Sequence, residues 1–373
     1  MEWTKTEKKQ LAIFFAVAFG VPYLMGFPMA LVLRAGGDTT TFATAQMFYP
    51  AAGVMLALLA TRRDDKMLPR LFYGAYLALT GLMLVLSMAL SFTGLGPELS
   101  GGILTGVLMV GTLLCWILYF ADGKARRTVG GLRLTGAGGK GVVTTVLVFL
   151  ALYLGRYAIL ILISRLADPT ITLAQMGFST DPVYSLAVLI TLPLSFALAF
   201  TPFFGEEYGW RAFLQPLLQK RFGAKRGVVL LGVLWGFWHL PLNVFYYSPA
   251  TWLQSLANQI VLCVCLAAFF GYAQHKTRTV WVPVTLHFLN NNLIAVFAGS
   301  TAVISGQVLG WGEVLVSGVL LAILYLPSLA SRYWRRPLPC LPLEVPASPA
   351  APDAPVPPQD AGAKQPPLYG PLN

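Results

Sequence analysis

Two adjacent carboxylates, Glu206 and Glu207, close an apolar run, and Arg211 follows one helical turn later. Two of the chain's three histidines, His239 and His287, lie inside apolar runs of their own, and Asn290, Asn291 and Asn292 come directly after the second. Carboxylates and imidazoles of this kind do acid–base chemistry, bind metals or relay protons. Their placement adds meaning, because an ionisable group inside a membrane costs about 2.5–3.5 kcal/mol on insertion scales and marks function by default. Read as helices, the three stretches aim their polar groups at defined faces. Glu207 and Arg211 stand at i, i+4 and can pair, whereas Glu206 points about 100° away and is free to face something else. Trp235 lies one turn before His239, and His287 and Asn291 share a face.

Depth strengthens the grouping. His239 lies roughly 18 Å along an apolar stretch that begins near Gly227, and His287 roughly 11 Å along one that begins near Val280. If the helix before them continues through Arg211 toward Gln219, Glu206 is also below the surface. A carboxylate, two imidazoles and a carboxamide are therefore expected at similar levels in the cytoplasmic half of the membrane. Each alone has a plainer reading. Glu206 and Glu207 suit an interfacial pair with Arg211, a single histidine suits an interhelical hydrogen bond, and Asn290 and Asn292 suit packing. His275, beside Lys276, reads as solvated, and Arg156 as a side chain that snorkels to the nearer surface.

The elements that must hold these groups follow from composition. Hydrophobic residues make up 56% of the 373 and charged residues 11%, against about 25% charged in soluble proteins. Such a chain dissolves in lipid. Disorder is excluded for most of its length, and so is nucleic-acid binding, despite a net charge of +11. Ten stretches reach the roughly 20 apolar residues of a spanning helix: 11–33, 42–61, 71–93, 101–121, 142–164, 183–204, 227–246, 252–273, 280–299 and 309–330. They are continuous rather than alternating, which argues for helices over a barrel. The first follows Lys5, Lys8 and Lys9 but is too long for a signal peptide, so it reads as a retained span. Across ten spans, 23 of the 26 Lys and Arg fall on one side of the alternation and two, Arg34 and Arg165, on the other, with Arg156 inside a span. Lys and Arg mark cytoplasmic loops, so both termini are expected in the cytoplasm. From Pro337 onward the chain holds 12 of its 26 prolines and reads as a disordered tail. The four cysteines are scattered and form no disulfide framework. Cys263 and Cys265 read as small apolar filler rather than a metal site. No internal repeat of the kind that builds inverted-repeat transporters is evident.

The expected protein is thus an all-α polytopic membrane protein of about ten transmembrane helices. Its expected parts are five N-terminal spans in 1–182, a core in 183–300 that carries every motif, a last helix in 301–336 and the tail in 337–373.

The ordered motifs resemble the CAAX protease and bacteriocin-processing family of intramembrane endopeptidases. That family shows Glu-Glu-x-x-x-Arg, then an aromatic-x-x-x-His motif, then His-x-x-x-Asn on separate membrane helices. Glu206-Glu207 to Arg211, Trp235 to His239 and His287 to Asn291 match in order and placement. Trp235 departs from the usual phenylalanine, which bears on packing. The resemblance covers about 183–300. It implies an endopeptidase in which Glu206 and His239 activate water, His287 and Asn291 donate to the oxyanion, and Glu207 and Arg211 hold the helix and tune Glu206. It implies a membrane-associated or prenylated peptide or protein substrate, the bilayer as setting and no nucleic acid. No cofactor is required on this reading. Zinc is the alternative, with Glu206, His239 and His287 as ligands, although no His-Glu-x-x-His helix exists and Asn is a poor zinc ligand.

Other functions stay open at this level. A catalytically silent relative could serve as a bacteriocin immunity factor or membrane chaperone. A proton-coupled transporter could use Glu206, His239 and His287 as a relay. A multi-pass protein of a bacterial plasma membrane is the expected setting.

Overall fold

Long apolar runs satisfy their backbone in lipid by forming helices. The computed structural model describes residues 2–134, 136, 139–299 and 304–343, and no strand occurs among the described residues. Each of the ten expected stretches falls on helix. The first five are α1 (Lys5–Arg34), α2 (Thr40–Thr61), α3 (Arg70–Phe92), α4 (Pro97–Ala121) and α5 (Gly139–Ala167). They are followed by α6 (Pro182–Ala199), α7 (201–222) and α8, whose parts Ala224–Trp238 and Leu240–Tyr247 meet at a 40° bend. The last three are α9 (Pro249–Thr277), α10 (Trp281–Ala298) and α11 (Trp311–Ala330). Among the described residues, eight helices are long and apolar enough to cross a membrane, or nine if α8 is one broken span. α10 falls outside that set, its hydropathy lowered by His287 and three asparagines. Large apolar side chains such as Phe27, Val110, Ile117, Leu166, Val183 and Leu315 are exposed around the perimeter, as a lipid-facing surface requires.

The basic connections gather on one face. There Lys220 pairs with Glu7 at 2.8 Å, Arg278 reaches the Pro337 carbonyl, and the amide of Leu343 bonds the Val129 carbonyl. Residues 337–343, at the start of the expected tail, lie against the body, with Leu341 buried. Residues 344–373 fall outside the described residues. His275 is also on this face, but it is buried rather than solvated. Its ring lies between Gln219 Oε1 at 3.0 Å and the Arg336 carbonyl at 2.9 Å, clamping α7, α9 and the segment after α11. On the opposite face Thr39 Oγ1 bonds the Phe245 carbonyl, and the amides of Gly306 and Gln307 bond the carbonyls of Tyr246 and Tyr247.

Two glycine pairs bring the motif helices into position. A Cβ on Gly205 or Gly209 would strike the backbone of Met47 or Pro50 in α2, and one on Gly236 would lie 2.6 Å from the Ile260 Cα in α9. Gly232 meets Val264 in the same way at 2.5 Å. Both pairs have the small-x-x-x-small spacing that lets membrane helices close on one another. They dock α7 on α2 and α8 on α9, immediately beside the residues that could do chemistry.

Candidate functional site

α7 delivers both carboxylates from inside the protein. It is α-helical to Glu207 and widens into a π-helix over Tyr208–Leu214, an irregularity common at functional sites. The expected pair forms on this wide turn. Arg211 Nε lies 3.0 Å from Glu207 Oε2, and neither side chain is exposed. The two atoms are not aligned as a hydrogen bond, and the guanidinium nitrogens have no hydrogen-bond acceptor among the described residues. Instead the cation lies 4.2 Å from the centre of the Trp235 ring and 5.1 Å from that of Phe270, where ring quadrupoles attract it. The second oxygen of Glu207, Oε1, accepts from His287 Nδ1 at 2.8 Å. Glu207 thus bridges α7 to α10. The family resemblance implies that it holds its own helix and tunes Glu206; in the structure it also fixes the His287 ring, as carboxylates do for histidines in metal and catalytic sites.

Glu206 does face elsewhere. Its Oε2 accepts from the indole Nε1 of Trp235 at 2.7 Å and lies 3.4 Å from that of Trp210. Trp235 therefore does more than the phenylalanine usual at its place could do, since it donates to the carboxylate. Both indoles meet the same oxygen, which leaves Oε1 to the cavity described below.

The bend in α8 positions His239. Pro241 has no N–H to give, and the His239 amide bonds the Gly236 carbonyl. Carbonyls around the bend then take side-chain donors: Tyr23 Oη on Phe237, Gln46 Nε2 on Trp238 and His239 Nδ1 on Trp235, at 2.8, 3.0 and 2.8 Å. With Nδ1 donating to a carbonyl, His239 keeps Nε2 as an acceptor. On α10, Asn290 Nδ2 donates to Asn291 Oδ1 at 3.0 Å, so the Asn291 amide nitrogen is left to donate. Asn292 bonds the Phe288 carbonyl of its own helix and takes no part.

Glu206, His239, His287 and Asn291 line one cavity of about 340 Å³. The sequence placed them in the cytoplasmic half. They do converge, Glu206 near the start of α7, His239 beyond the midpoint of α8, and His287 and Asn291 on either side of the middle of α10. Sequence reading missed several other lining residues. Arg156 turns into the cavity rather than snorkelling, and Tyr153, Asn258 and Cys263 also line it. Cys263 Sγ lies 3.8 Å from His239 Nδ1. Arg156 alone had a signal in the sequence, as a cation inside an apolar run.

A zinc ion would need at least three ligands gathered around one point. No three His, Cys, Asp or Glu side chains are so grouped among the described residues. As arranged, these side chains are not gathered into the three-ligand set that zinc needs.

Fold and site together define an all-helical polytopic membrane protein with a cavity among its helices lined by titratable and carboxamide side chains. Residues 188–293 match the family model described as type II CAAX prenyl endopeptidase Rce1-like, which bears out the family resemblance of the motifs and lies within the expected core. The match supports CAAX-type endopeptidase activity in general. No curated protein and no solved structure matches the chain.

Proposed function

We propose that the protein is an intramembrane endopeptidase in which Glu206 activates a water without a metal. One observation carries this reading: Glu206, His239, His287 and Asn291, from three separate helices, face a single cavity. A water between Glu206 Oε1 and His239 Nε2 gives up a proton to the carboxylate as its oxygen bonds to the scissile carbonyl carbon. Asn291 Nδ2 and His287 stabilise the oxyanion that forms. For His287 to donate from Nε2 while Nδ1 serves Glu207, the ring carries both protons, and Glu207 is its counter-charge. The C–N bond then breaks, and the proton on Glu206 passes to the departing amine. The substrate is a peptide or protein associated with the membrane.

The direct test compares terminal peptides of the membrane proteome with and without the gene. New termini that depend on the gene are expected, and identical terminomes sink the proposal. On the substrate so found, chelators should leave turnover unchanged, and the purified protein should hold metal below stoichiometric amounts. Stoichiometric zinc, lost in both His239→Ala and His287→Ala and restoring activity on readdition, overturns the metal-free mechanism.

Trp235 supplies a further expectation. A hydrogen bond to a charged group contributes about 1.5–3 kcal/mol. Trp235→Phe keeps an aromatic ring under Arg211 but removes the donor to Glu206. The melting temperature should fall, and turnover per folded protein should fall by about tenfold or more; unchanged turnover of the folded variant would show that the indole only packs.

A further inference from the structure

Every loop that contributes to the cavity wall lies on one face of the protein. Thr44 stands near the start of α2, Tyr246 and Tyr247 end α8, and Ile304 and Gln307 lie between α10 and α11. No lining residue comes from the basic connections, namely those between α2 and α3, α4 and α5, α7 and α8, and α9 and α10, or from the chain beyond α11. On that basic side the site is closed by buried aromatic rings. Phe204 stacks on Tyr208 at 5.0 Å and packs on Trp281. The Tyr208 hydroxyl is held between Tyr73 Oη and the Gly130 carbonyl.

Charge tells the two faces apart. Among the described residues, Arg34 and Arg165 are the only Lys or Arg at the helix ends on the side where the cavity opens, while the basic connections carry nearly all the rest. Basic loops stay in the cytoplasm. We propose that the cavity takes its substrate from the extracytoplasmic side, so that the peptide it cleaves is a segment exposed at, or leaving the bilayer through, the face opposite the basic loops. This rests on the hydrolytic reading of the Glu206 site and narrows its substrate class. A cytoplasmic tail, prenylated or not, meets the sealed aromatic side, whereas an extracytoplasmic segment enters directly.

The wall between mouth and carboxylate suits a peptide backbone. Arg156 Nε and Asn258 Oδ1 are buried atoms with no hydrogen-bond partner among the described residues, one a donor and one an acceptor. Both residues line the cavity. A chain passing between them offers a carbonyl to the first and an N–H to the second, replacing the water that would otherwise satisfy them.

The test is accessibility, independent of catalysis. Ile294→Cys places a thiol on the cavity wall, and Lys140→Cys places one on the exposed basic face. Each variant is treated with a membrane-impermeant sulfonated maleimide in sealed right-side-out and inverted vesicles, and the labelled peptide is identified by mass. Ile294→Cys should react at least about tenfold faster in right-side-out vesicles, the contrast expected of a thiol with water access from one side only, and Lys140→Cys should show the reverse. Reaction of both in inverted vesicles overturns the proposal. So does reaction of Lys140→Cys from the outside, or no reaction of Ile294→Cys from either side. Failure of the hydrolytic reading would appear separately, as a Glu206→Gln protein that still cleaves. If Ile294→Cys does not reach the membrane, Thr44→Cys at the mouth takes its place with the same outcomes.

Discussion

Glu206→Gln should leave a folded membrane protein that no longer hydrolyses its substrate. Glutamine keeps the side-chain length and an oxygen that can accept from Trp235 Nε1, so the contact between α7 and α8 at 2.7 Å is retained. What it loses is the ability to take a proton from water. General-base assistance typically contributes about 100- to 10,000-fold, and a loss in that range is expected in turnover. Unaltered melting in detergent would separate this from unfolding. Cleavage at the native rate by purified Glu206→Gln would show that another group is the base. Glu207 makes an instructive contrast. Its two oxygens serve Arg211 and His287, and all three side chains are buried. Glu207→Gln should therefore lower folding yield and turnover together, because breaking a buried ion pair by removing one partner costs about 3–5 kcal/mol.

Asn291→Ala is the second large effect, and it should be nearly silent in the ground state. The carboxamide lines the cavity and, among the described residues, is tied only through Asn290 Nδ2 on Oδ1. Its amide nitrogen is therefore available when negative charge develops on the scissile carbonyl oxygen. Loss of one oxyanion donor costs about 100- to 1,000-fold in turnover. The same loss is expected here with KM little changed, since the interaction is made in the transition state. Turnover within about twofold of wild type, well short of the loss typical of an oxyanion donor, would remove Asn291 from the mechanism, and a large rise in KM alone would make it a binding residue. His287→Ala is the less clean experiment, because it also strands the Glu207 oxygen and the buried Arg211.

Local sequence determined much of this molecule. Hydropathy along the chain was enough for helices in lipid, because a backbone without water has no other way to satisfy a single segment. The i, i+4 spacing predicted the Glu207–Arg211 pair, since helical geometry fixes neighbours on one face whatever lies around them. It also predicted that Glu206 would turn away from that pair. Where the outcome depended on which helix lies beside which, the sequence was silent. Trp235 donates to Glu206 across 29 residues, and His287 meets Glu207 across 80. His275 is buried by a segment 61 residues further on. Asn258 faces the cavity because a glycine pair and a proline bend set how α8 and α9 pack, and Arg156 reaches the same cavity from α5. Charge counting separated the two faces of the membrane, but which of them the cavity opens toward depends on where side chains from several helices leave space. Hydropathy and spacing are properties of one helix at a time, whereas a cavity is what remains when many helices close against one another.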